Sequence, residues 1–188
     1  MEALLVSTGI VALAEIGDKT QLLSLLLAAK FRRPVPIILG IFVATVANHA
    51  LAGAVGTWVT HAIGEYAMRW ILGFSFIAMA GWMLVPDSPP DEQTKPARFG
   101  VFGTTLIAFF LVEMGDKTQI ATVALAAQYG AFAMVVAGTT LGMMIANVPA
   151  VLLGERATRV LPIRAIHVIA ALIFAALGIA VLAGIEVG

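Results

Sequence analysis

The chain has 188 residues, a formal net charge of zero, 61% hydrophobic residues and only 12% charged ones. That balance excludes a water-soluble domain, which needs more polar surface. The absence of cysteine excludes a disulfide framework, a thiolate metal site and a cysteine nucleophile.

The first residues, Met1-Glu2-Ala3, lack the basic n-region of a secretory signal, and their apolar run outlasts a signal h-region, so a retained first helix is expected. A helix needs about 20 apolar residues to cross a hydrocarbon core. Runs of that kind occupy 3–29, 35–60, 67–85, 100–127, 131–153 and 163–186, predicting an all-α membrane protein with six transmembrane helices. Breakers mark their ends: Arg32, Arg33, Pro34 and Pro36 after the first, and Pro86 through Pro96 after the third. Gly130 follows the fourth and Pro162 precedes the sixth.

The loops after odd-numbered spans hold Lys30, Arg32, Arg33, Lys95, Arg98, Arg156, Arg159 and Arg164, whereas the opposite loops hold only Arg69. This bias puts the odd loops in the cytoplasm and both termini on the far side. The basic residues are too few and scattered for a nucleic-acid surface. Lys19 and Lys117 fit neither set, because both fall inside spans, where charge is expensive.

Those two lysines lie in matching sequences. E-I-G-D-K-T-Q-L-L-S-L-L-L-A-A begins at Glu15, and E-M-G-D-K-T-Q-I-A-T-V-A-L-A-A begins at Glu113, an offset of 98. Gly40 corresponds to Gly138, and Asn48 to Asn147 after a one-residue gap. The expected organisation is a first three-helix repeat over 1–85, a cytoplasmic linker over 86–99 and a second repeat over 100–188. Three spans per repeat make the second repeat inverted, as in many secondary transporters, whose substrate site lies where the halves meet. Packing alone would preserve small and apolar residues. Here the best-preserved stretch is the costliest one to keep in lipid, so it is expected to be functional.

On a regular helix residues three apart differ by about 60°. Glu15 and Asp18 then share a face, as do Glu113 and Asp116, and two facing pairs offer four carboxylates. Gln21 and Gln119 add amide oxygens, and Asn48 and Asn147 either complete the shell or bond between helices. Gly17 and Gly115 permit close approach or local unwinding, which frees backbone carbonyls. An all-oxygen set suits Mg²⁺, Ca²⁺ or Mn²⁺ rather than zinc or copper. Lys19 stands four residues after Glu15, and Lys117 four after Glu113, the spacing for an ion pair within each motif. Four acids and two lysines leave a net charge of −2, which matches one divalent cation. Thr20, Thr118, Ser24 and Thr122 point away from the glutamates on a regular helix and are expected to pack helices. His49 is expected to be buried packing rather than a proton relay. Pro149 is expected to kink its span and free carbonyls near the site. Trp58, Trp70 and Trp82 read as interfacial anchors.

Two copies of E-x-G-D-K-[TS], Glu15 through Thr20 and Glu113 through Thr118, one in each three-helix repeat, resemble the UPF0016 family, also called the Gdt1 family of cation transporters. The resemblance covers essentially the whole chain. It implies Mn²⁺ or Ca²⁺ transport in exchange for protons, with the ion as substrate and no prosthetic group, in a bacterial inner membrane. Protons then replace the metal on the return step. The alternatives are a passive divalent cation channel, an exporter of another small cationic solute, and an intramembrane metal-dependent hydrolase. No nucleotide motif is present to support an ATP-driven pump.

Overall fold

A computed structural model describes residues 1–63, 65–85, 99–154 and 162–185. Among these the chain is all-α, with eight helices. They are α1 (Glu2–Glu15), α2 (Lys19–Phe31), α3 (Pro34–Ala62), α4 (Glu65–Met83), α5 (Gly100–Glu113), α6 (Lys117–Tyr129), α7 (Phe132–Leu153) and α8 (Ile163–Leu182). Three of them, α3, α7 and α8, are long and apolar enough to cross a membrane by themselves. The expected linker residues 86–98 and the loop residues Arg156 and Arg159 lie outside the described residues.

The expected spans 3–29 and 100–127 are not single helices. Each is interrupted at its motif, α1 from α2 at residues 16–18 and α5 from α6 at residues 114–116. The cause is the glycine at the middle of each break. Gly17 has φ +87° and Gly115 φ +80°, a region closed to most side chains but open to glycine. The residues on either side are extended, with ψ 115° at Ile16 and 168° at Asp18, and 116° and 166° at Met114 and Asp116. The angular argument for a continuous helix through Glu15 and Asp18 therefore fails, while the expectation of local unwinding holds.

The halves exchange partners in packing. α1 lies mainly against α7, α5 and α6 lie against α3, and α4 pairs with α8. Glycine lets these backbones meet. A Cβ on Gly138 would sit 2.5 Å from the Leu4 carbonyl oxygen and 2.9 Å from Ser7 Cβ. One on Gly40 would sit 3.0 Å from the Phe102 oxygen and 2.8 Å from Thr105 Cβ. Residues 4 and 7 precede 102 and 105 by the same 98 positions that separate the motifs, so both crossings use one register. At the α4–α8 crossing, a Cβ on Gly178 would lie 2.9 Å from the Gly73 oxygen, the small-residue approach common between helices in lipid.

The interior is unusually polar. Glu15, Asp18, Gln21, Ser24, Asn48, His49, Glu113, Asp116, Lys117, Thr118, Thr122 and Asn147 are all buried, while Leu5, Phe42, Leu51, Phe74, Leu141, Leu152 and Leu172 are exposed. This reverses the arrangement of a water-soluble domain and fits apolar surroundings. Trp58, Trp70 and Trp82 are exposed as well.

Candidate functional site

The two breaks bring their acidic residues together. Glu15 ends α1, Asp18 caps the N-terminus of α2, Glu113 ends α5 and Asp116 caps α6. All four are at most 2% exposed. Glu15, Glu113 and Asp116 each offer a carboxylate oxygen within 4.8 Å of the others, and Asp18 stands outside that trio.

Each member of the trio has one oxygen engaged and one oxygen without a hydrogen-bond partner. Thr20 Oγ1 donates to Glu15 Oε2, and Thr118 Oγ1 donates to Glu113 Oε2 at 3.1 Å. Lys19 Nζ lies 2.6 Å from Asp116 Oδ1. Among the described residues, Glu15 Oε1, Glu113 Oε1 and Asp116 Oδ2 are buried without a hydrogen-bond partner. Buried carboxylate oxygens of this kind are costly unless something positive meets them.

The threonine contacts correct the expectation that Thr20 and Thr118 serve packing alone. The break turns the first residues of α2 and α6 back toward the preceding glutamate, a direction that a regular helix denies them. The lysines depart from expectation too. Lys19 pairs with Asp116, and Lys117 with Asp18 at 3.0 Å, so the ion pairs cross between motifs instead of joining Glu15 to Lys19 and Glu113 to Lys117. With ψ extended at residue 16 and φ positive at residue 17, the four-residue spacing no longer brings Glu15 and Lys19 together.

The neutral polar residues brace the breaks. Gln21 Oε1 accepts from the Gly17 N–H at 2.9 Å, and Gln119 Oε1 accepts from the Gly115 N–H at 2.7 Å. Gln21 Nε2 also donates to the Ala146 oxygen on α7, in the turn before Pro149. Asn147 accepts from Ser24 Oγ at 2.7 Å and donates to the Met143 oxygen. Asn48 donates to the Phe110 oxygen at 3.1 Å, and its own Oδ1 is buried without a partner. Thr122 bonds back to the Thr118 carbonyl of its own helix. His49 is fully buried, and among the described residues neither ring nitrogen has a hydrogen-bond partner.

The sequence reading missed His167. From α8, its Nε2 lies 2.8 Å from the Ile16 carbonyl oxygen, which the first break has released from helical bonding. No local pattern signals a contact across 151 positions. The repeated threonines, by contrast, were marked by their offset of 98.

A buried cluster of carboxylate oxygens made from two matching motifs can hold a hard cation. Comparison with known proteins agrees. The family model described as "Divalent cation/proton antiporter GDT1" matches residues 3–91 and 101–186. A Vibrio cholerae protein named "Putative manganese exporter" is 50% identical over 181 residues, covering 96% of this chain and 90% of that protein. A Synechocystis protein named "GDT1-like protein sll0615" is 30% identical over 166 residues, 78% of this chain and 80% of its own length. No solved structure matches the chain. The matched model runs through both motifs and nearly every described helix, and the chain belongs to the GDT1 family of divalent cation/proton antiporters, integral membrane transporters rather than enzymes.

Proposed function

We propose that this chain exports Mn²⁺ from the cytoplasm in exchange for protons, through a site built on Glu15, Glu113 and Asp116 with Asp18 close by. One observation carries the reading: three buried carboxylates from both motifs lie within 4.8 Å of one another, and each keeps an oxygen without a partner. The all-oxygen donor set is compatible with Mn²⁺ and Ca²⁺ alike. Manganese is favoured by the name of the Vibrio cholerae relative.

The four acids and two lysines sum to −2, so one divalent ion neutralises the cluster and two protons can replace it. Gln21 and Gln119 act through the breaks, holding the glycine N–H groups, and their second lone pairs remain as ligand capacity. Asn48 and Asn147 flank the cluster from α3 and α7. We read each broken pair, α1 with α2 and α5 with α6, as one interrupted span. The chain then has six spans in two inverted three-helix repeats over 1–85 and 100–188. The matched registers of the Gly40 and Gly138 crossings support that symmetry. The basic bias of the odd loops supports periplasmic termini in a bacterial inner membrane.

The test is flux in liposomes containing the purified protein, comparing Mn²⁺, Ca²⁺ and Mg²⁺ with the membrane potential clamped. Mn²⁺ movement should follow an imposed pH gradient and reverse with it. Flux of unchanged rate with and without the gradient would overturn exchange in favour of a passive channel.

A further inference from the structure

The two motifs match residue for residue, yet their aspartates are placed differently. Asp116 belongs to the trio that converges on the cation position, and Asp18 does not. Two more differences follow the same division. The Lys19 side chain holding Asp116 is 25% exposed, whereas Lys117, holding Asp18, is 1% exposed. Among the described residues the first break is also covered and the second is open. Ile163 packs onto Gly17 so closely that a Cβ there would collide with it, and His167 ties down the Ile16 carbonyl. Among the described residues nothing lies within 4 Å of where a Gly115 Cβ would be, and Met114 is 56% exposed.

We infer that Asp116 and Asp18 are alternating ligands, one for each side of the membrane, around a glutamate pair that serves both access states. This rests on the carboxylates being the cation site. In the state seen here Asp116 completes the site. Its ammonium partner, Lys19, has a route to the surface when a cation arrives. Asp18 is held in reserve by Lys117, next to the covered break. Near-equivalence of the motifs makes the opposite state available: Asp18 joins Glu15 and Glu113, the first break opens, and Asp116 is withdrawn onto Lys19. A cation then changes one ligand as it changes sides, and the glutamates never release it to an empty cavity.

The experiment measures MnCl₂ half-saturation in Mn²⁺/Mn²⁺ exchange, using right-side-out and inside-out vesicles so that each face is read separately. D116N should raise the half-saturating concentration at one face at least about tenfold, the scale on which lost metal-site partners act. The rise at the other face should be clearly smaller. D18N should do the reverse, and E15Q and E113Q should raise both. D18N and D116N that each weaken both faces equally would overturn alternation and leave the shared site standing. Unchanged exchange in all four variants would instead overturn the site itself. Should either Asn variant fail to fold, D18E and D116E keep the charge, lengthen the arm and support the same sided comparison.

Discussion

The stretch 15–21 and the stretch 113–119 have nearly the same sequence and nearly the same backbone, but different neighbours. Ile16 and Met114 differ by about 1° in ψ, and Gly17 and Gly115 by 7° in φ. Around the first, α8 supplies Ile163 and His167; around the second, no side chain among the described residues approaches the glycine. The break is thus a property of the motif, and its accessibility is a property of the surrounding helices. Moving α8 relative to α1 would uncover the first break without refolding the motif.

The largest effects should be symmetric and should ignore the neighbours. E15Q and E113Q each remove a charged ligand at the common centre. Each is expected to cut Mn²⁺ flux in liposomes by about a hundredfold or more, as loss of a charge held in a buried site costs several kcal/mol. A variant of one glutamate with near-normal flux would break the equivalence of the halves. Next in size is the contrast between G17A and G115A. Both place alanine at positive φ, costing about 1–2 kcal/mol. G17A adds overlap with Ile163, worth about 1–3 kcal/mol more. Thermal unfolding in detergent should rank G17A below G115A, and the opposite order would show that Ile163 yields freely. H167A removes one hydrogen bond to a carbonyl, about 1 kcal/mol. Its effect should be selective: a single cysteine at Ile16 should react faster with an impermeant thiol reagent, while one at Met114 keeps its rate. The absence of native cysteine makes that assay clean. The smallest contrast is S24A against T122A. Ser24 bonds Asn147 between helices, so S24A should cost about 0.5–1.5 kcal/mol. Among the described residues Thr122 bonds only its own helix, and T122A should change unfolding by less than about 0.5 kcal/mol.

The repeat, the acidic residues and the family were legible because charge inside apolar segments is conspicuous and was present twice. The breaks were legible in part: Gly17 and Gly115 marked weak points, but a helical period of 3.6 was carried straight through them. That single assumption misdirected three conclusions. It set Glu15 and Asp18 on one face, paired Lys19 with Glu15, and turned Thr20 away from Glu15. All three depend on the direction the chain takes after residue 17, which no local periodicity encodes. The crossed ion pairs and the His167 contact join residues about 100 to 150 positions apart, and only packing decides them.

The crossed pairing of Lys19 with Asp116 and Lys117 with Asp18 has a consequence for biogenesis. A ribosome delivers residues 15–19 to the membrane 98 positions ahead of 113–117. Until the later segment arrives, the Lys117–Asp18 and Lys19–Asp116 pairs cannot form. Each charge near the centre of an inserting helix costs about 2.5–3.5 kcal/mol. The segments on either side of the first break, 14 and 13 residues long, are each too short to span the bilayer alone. The first motif must therefore wait, incompletely neutralised, near the water interface or against the insertion machinery, and its burial is completed only when the second motif docks. The crossed pairs thus couple burial of the first motif's charges to arrival of the second motif.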